Sequence, residues 1–213
     1  MQQVIFKFWQ SAQKTGFGLG FVTGGLFMGL VALALLGAGA AHAQSATYTV
    51  EPTHTFVTWE VRHLGISTSR GRFDKKEGSI TIDPTAKTGK VEVSIDMASI
   101  NTGVAPFDGH LKSKDFFNVE QFPTAKFSGD KVEFDGNKVK SVTGTLTMLG
   151  KTVPVTLAAE NYGCTMHPRV KVEVCGGDFS TTLQRTQWGM NYAVPGIPDS
   201  VRLVIQVEAL KQP

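Results

Sequence analysis

Cysteine is nearly absent from this chain: Cys164 and Cys175 are the only two in 213 residues. One pair allows at most one disulfide, so a multi-bridge scaffold is excluded, and the Cys-x-x-Cys spacing of a catalytic dithiol is missing. Charge of one sign never accumulates. Lys and Arg number 21 against 18 Asp and Glu, with no block of like charge, which removes the footprint of a nucleic-acid binder or of a protein drawn to an anionic surface. Glycine forms no phosphate-cradling loop, because Gly144, Gly150, Gly163, Gly176 and Gly177 sit singly or in pairs at turns. No Ser, Cys or Thr stands in a nucleophile-elbow context, and no carboxylate pair has suggestive spacing. His54, His63, His110 and His167 are spread over four segments, the first two reading as polar strand ends and the third as helix surface or cap. These absences predict no enzymatic activity, no cofactor and no nucleic-acid partner.

What is present begins at the N-terminus. Residues 1–16 carry Lys7 and Lys14 and no acid, residues 17–41 run uncharged, and the run ends in AHAQS. A positive segment, an apolar segment and small residues at Ala41 and Ala43 predict a secretory signal peptide over residues 1–43, cleaved before Gln44. The apolar run is long enough to span a bilayer as an uncleaved anchor, but its Gly-rich interior and Ala-His-Ala ending favour cleavage. The expected mature domain, 44–213, is periplasmic and unanchored. Cleavage removes two lysines and leaves 19 basic against 18 acidic residues, an excess of +1.

Along that domain the dominant period is two, the mark of a strand with one buried face. KVEVSIDM turns Val91, Val93, Ile95 and Met97 to one side; VTWEVRH does the same with Val57, Trp59 and Val61. VTGTLTM sets Val142, Leu146 and Met148 against threonines, and SVRLVIQVEAL shows Val201, Leu203, Ile205 and Val207. Turn chemistry at Asp83-Pro84, Lys87-Thr88-Gly89, Asp135-Gly136-Asn137 and Leu149-Gly150-Lys151 separates strands at close spacing, which predicts an all-β antiparallel sandwich or barrel. One stretch departs from this. APFDGHLKSKDFFNVEQFP places Phe107 and Leu111 at helical spacing, and its four phenylalanines (Phe107, Phe116, Phe117, Phe122) predict a helical plug over one end of the sheet.

Four ordered blocks, YTVEPTHTFVTWEVRHLGISTSRGRF (48–73), LKSKDFFNVEQFPTAKF (111–127), GTLTMLGKTVPVTL (144–157) and RTQWGM (185–190), resemble the successive motifs of the YceI-like family of exported polyisoprenoid-binding proteins. The resemblance implies an extended lipocalin-like antiparallel β-barrel of about eight strands whose lumen holds a polyisoprenoid or a similar amphiphile, such as an isoprenoid quinone, fatty acid or amide, for transport or storage. The expected lumen wall combines Val57, Trp59 and Val61; Val91, Val93, Ile95 and Met97; Leu146 and Met148; Val155 and Leu157; and Leu203 and Ile205. Many family members carry Arg-Asp just before the His-Leu, whereas this chain reads Asp108-Gly109-His110-Leu111 and lacks the Arg. A homodimer stays open, as does a ligand-free envelope stress protein.

YGCTMHPRVKVEVCGGD holds both cysteines. Thiolate, thioether and imidazole at Cys164, Met166, His167 and Cys175 suit copper or a redox module. An oxidising compartment and a Val170, Val172, Val174 alternation leading into Cys175 instead suggest a disulfide across a hairpin, with a turn at Pro168. The family resemblance also fits the disulfide, since one subgroup has a similar cysteine series.

Overall fold

A chain whose strands bury one face each must close that face against something, and here the sheet closes on itself. The computed structural model describes residues 45–213; the expected signal peptide over 1–43 lies outside the described residues. In chain order the elements are β1 (Ala46–Val50), β2 (Phe56–His63), β3 (Ser67–Phe73), β4 (Lys76–Asp83), β5 (Thr88–Asp96), β6 (Ile100–Asn101), α1 (Ala105–Lys112), β7 (Thr124–Asp135), β8 (Lys138–Met148), β9 (Lys151–Met166), β10 (Glu173–Gln184) and β11 (Ser200–Lys211). Single 3-10 turns at Met97–Ser99 and Arg185–Trp188 link β5 to β6 and follow β10.

Every pairing is antiparallel. The halves β1 and β2 belong to one interrupted ribbon: β1 faces β4, β2 faces β3, and both lie against β11 on their other side. In the same way β3 and β4 run on into each other opposite β6 and β5. Eleven segments therefore make a closed barrel of eight ribbons, each beside its neighbour in sequence, with β11 closing the ring. This is the barrel with a short helix that the sequence predicts.

The hairpins follow their turn residues. Leu149 and Gly150 both take positive φ, 51° and 72°, which matches the right-handed twist of the β8 and β9 strands that they join. Between β4 and β5 the Asp83 carboxylate accepts the N–H groups of Thr85 and Ala86 at 3.0 and 2.8 Å. On the outer face of β8 and β9 the threonines pair across the strands, Thr143 with Thr156 and Thr147 with Thr152, each at 2.8 Å.

One strand expectation needs correction. Val170 and Val172 alternate as a strand would, but β10 starts only at Glu173, and both residues lie in the loop from β9. Pro168 lacks an N–H for a ladder, Lys171 adopts a φ of 56°, and His167 N–H donates to Val172 O at 2.8 Å, closing the loop on itself.

The plug lies at one end. Helix α1 has Pro106 in its first turn, and its Asp108 accepts the Thr102 N–H and hydroxyl at 2.8 and 2.6 Å. Leu111 is buried, Phe107 meets Trp59 edge-on, and Phe117 does the same with Phe73. Phe122 is set apart from the other three phenylalanines, its ring lying over Gly150 in the β8–β9 turn.

Candidate ligand-binding lumen

The inward faces of the ribbons enclose two apolar cavities. The one beneath the plug has a volume of about 120 Å3 and the one toward the far end about 130 Å3. Val57, Ile95, Leu146 and Leu203 belong to the walls of both, so the two are adjacent lobes of the barrel interior, with these four side chains between them. Trp59, Val61, Met97 and Met148 line the upper lobe, and Val91, Val93, Val155, Leu157 and Ile205 the lower. All thirteen positions expected in the wall thus face the lumen.

The wall also contains residues that alternation did not reveal. Leu111, Phe116 and Phe117 reach the upper lobe from the plug, and Trp188 and Met190 from the chain that follows β10. Phe127 and Phe179 line the lower lobe. In β10 the signal is broken by Gly176-Gly177 and by a register shift between Asp178 and Phe179; only the even spacing of Phe179 and Leu183 hints at an inward face.

A polar corner frames the upper lobe. Arg185 is only 4% exposed, and its guanidinium donates Nε to Pro198 O at 3.0 Å, Nη1 to Met190 O at 3.1 Å and Nη2 to Ile197 O at 3.0 Å. Burial pushes its pKa down, against the pull of nearby Asp199. Asp199 in turn accepts the Thr186 N–H at 2.8 Å and hydroxyl at 2.7 Å, and these bonds hold its carboxyl below the ordinary range. The wide loop over 189–199 is thereby pinned by Arg185 and by the Asp199–Thr186 pair.

At the opposite end Tyr48 donates its hydroxyl to Glu173 at 2.6 Å, with Lys211 3.4 Å from the same carboxylate. Burial, then the Glu173 contact, pushes the Tyr48 phenol up; burial also raises Tyr162. Cys175 is buried in the lower wall, and directly across β9 and β10 its sulfur is bonded to that of Cys164. Both thiols of the expected copper set are thus engaged with each other. Met166 is exposed, and His167 Nδ1 faces the N–H groups of Arg169 and Val170 at 3.2 and 3.4 Å, as a turn residue does. The bond is a staple: mass analysis under non-reducing conditions is expected to find the chain two hydrogens lighter than after reduction. Replacing both cysteines by alanine should cost about 3 kcal/mol through the freed unfolded chain. Two titratable thiols in protein taken directly from its native compartment would overturn this.

The remaining histidines stand apart. His54 sits in the β1–β2 break against Glu51 at 2.7 Å, His63 ends β2, and His110 lies on α1 beside Asp115 at 3.1 Å. Among the described residues no three His, Cys, Asp or Glu side chains gather as a metal site would require. What the site offers chemically is a long apolar surface inside a hydrogen-bonded shell.

The comparisons with known proteins agree with this architecture. The model of the YceI-like domain matches residues 48–209. A UPF0312 protein of Pseudomonas aeruginosa is 36% identical over 180 residues, covering 84% of this chain and 93% of that relative. One from Photorhabdus laumondii is 42% identical over 139 residues, 64% of this chain and 71% of its own. Among solved structures, a Campylobacter jejuni YCEI protein superposes with a TM-score of 0.64 at 30% identity, covering 71% of this chain and 90% of that one. A polyisoprenoid binding domain from Saccharophagus degradans shares the fold alone, at 14% identity and a TM-score of 0.54 over 78% of this chain and 98% of its own. With its motif blocks in order around one closed barrel, the chain belongs to the YceI-like family.

Proposed function

We propose that the barrel is an exported, periplasmic carrier or store that holds one long-chain lipid, a polyisoprenoid or a similarly slender amphiphile, in its lumen. The observation that carries this reading is the pair of apolar cavities inside a closed barrel, with Val57, Ile95, Leu146 and Leu203 in the walls of both. A long chain gains about 25 cal/mol for each Å2 of apolar surface it hides, so it needs few directed bonds, and a narrow lumen favours a thin chain over a bulky ring system. The fold shared with a polyisoprenoid binding domain supports the ligand class, and the signal-like N-terminus supports export. Organic extraction of protein purified from its native envelope, followed by mass spectrometry, tests it. Recovery of a stoichiometric prenyl or acyl chain is expected; extracts free of any such chain would sink the reading.

A further inference from the structure

One strand of the ring runs past its partner. Strand β3 pairs with β2 along its whole length, from Ser67 opposite His63 to Phe73 opposite Val57. On its other side β6 covers only Arg72 and Phe73. Among the described residues, no strand fills the outer edge of Ser67–Gly71.

The ladder fixes which backbone groups stand on that edge. Asp74 N–H donates to Ser99 O at 3.1 Å, so Asp74 and, two residues earlier, Arg72 turn their backbone groups toward β6. By the same alternation Arg70 and Thr68 turn theirs away from β2, and among the described residues these N–H and C=O groups meet no partner. The edge is also held in shape. Arg62 donates Nη2 to Gly65 O at 2.6 Å and to Ile66 O at 3.2 Å, and Nη1 to the Thr68 hydroxyl at 3.2 Å, which ties the β2–β3 turn to the strands on either side. An open groove of about 290 Å3, lined by Thr58, Arg70, Gly71, Arg72, Asn101 and Thr102, lies at this edge. Alternating donors and acceptors of this kind are completed by another extended backbone.

Charge narrows the class of that backbone. The whole chain is close to balance, but residues 61–73 hold Arg62, Arg70 and Arg72 and no acid. Arg70 and Arg72 share the outer face two residues apart, and each uses only Nε, on Glu60 and on Asp74, both at 2.7 Å. Their Nη groups make no further hydrogen bond among the described residues, which leaves them to meet added carboxylates. A second copy of β3 would bring more arginine to the edge and no acid.

We propose that the free edge of β3 is a docking site for an extended acidic segment of another protein. The segment adds one strand by pairing with Thr68 and Arg70, and it sets carboxylates at alternate positions against the arginines. This goes beyond the lipid-carrier reading and does not rest on it.

The test titrates the folded protein with the capped pentapeptide Thr-Glu-Val-Glu-Thr and with its counterpart Thr-Lys-Val-Lys-Thr, while following amide hydrogen exchange. In the free protein the Thr68 and Arg70 amides should exchange fast, and those of Ser69 and Gly71, which face β2, slowly. The acidic peptide should slow the fast pair and bind about tenfold more tightly than the lysine peptide, as two cross-strand charge pairs allow. Thr68→Pro removes an outward N–H without touching the β2 ladder, so it should fold and weaken the peptide about tenfold or more. Should that variant not fold, Arg70→Glu with Arg72→Glu decides, and its preference should turn to the lysine peptide. Equal affinity for the two peptides, binding that leaves the Thr68 and Arg70 amides unprotected, or no binding at about 1 mM peptide would each overturn the assignment. So would self-association that protects these amides in the protein alone, which would give the edge to a second copy. None of these outcomes touches the carrier reading.

Discussion

Arg185→Met is expected to cost about 3 kcal/mol, since it strips donors from one buried and two part-buried carbonyls at roughly 1–3 kcal/mol for each unsatisfied group, partly offset by relief of a buried charge. The carbonyls of Met190, Ile197 and Pro198 all turn toward this one guanidinium. For a domain of this size the loss corresponds to a fall in Tm of roughly 6–12 °C. Arg185→Lys should recover only part of it, because an ammonium cannot fork to three acceptors spread over two segments. The corner also carries a pH signature. Asp199 has a lowered pKa in the folded state, so its contribution is fully present above the unfolded carboxylate value of about 4 and disappears as the pH falls through the folded value. Asp199→Asn should therefore destabilise the protein at neutral pH and converge with the parent under strongly acidic conditions. Thermal melts followed by circular dichroism measure all of these, and a Tm for Arg185→Met within about 2 °C of the parent would show that the loop does not depend on the guanidinium.

The second large effect concerns the waist of the lumen. Leu146 is buried and borders both lobes. Leu146→Asp places a carboxylate where no partner is in reach, at a cost of several kcal/mol, and it also loses the packing of a buried leucine. The expected result is little folded protein at neutral pH. Partial recovery should follow on acidification, because burial raises the new carboxyl's folded pKa, so its penalty is absent below the unfolded value of about 4, grows as the pH rises from there and is complete above the folded value. Thr156 on neighbouring β9 is exposed on the outer face, where it pairs with Thr143, so Thr156→Asp should stay within about 0.5 kcal/mol of the parent. Chemical denaturation of the pair reads the difference. If Leu146→Asp folds as well as Thr156→Asp and retains the same lipid, the lumen is not the dry interior described above.

These two residues also mark how far the sequence could be read. Leu146 was legible because β8 alternates over 142–148, and the same holds for Trp59 in β2 and Ile95 in β5, whose outward neighbours are polar or charged. Arg185 was not, since an arginine reads as surface and its burial depends on three carbonyls up to thirteen residues away. The loop over 167–172 misled for the converse reason: Val170 and Val172 have strand spacing, but local turn geometry at Pro168 and Lys171 outweighs period. The close approach of the Trp59 ring to β3 depends on Gly71 on that adjacent strand, a relation that exists only once β2 and β3 are in register. Spacing showed which residues point inward; what each meets there depends on long-range pairing.

The closure of the ring has a consequence for the order in which the chain can be assembled. Seven of the eight seams join ribbons adjacent in sequence and can form as each hairpin appears, whereas the last joins β11 to β1 and β2, with Val57 opposite Ile205. That seam carries the largest loop-closure cost and comes only after the final ribbon exists. Until then β10 on one side and the β1–β2 ribbon on the other present bare backbone edges, and the lumen is a trough open along its length. A chain interrupted before β11 is thus the one form of this protein with two whole ribbon edges free to template pairing between molecules, a hazard that the finished ring removes.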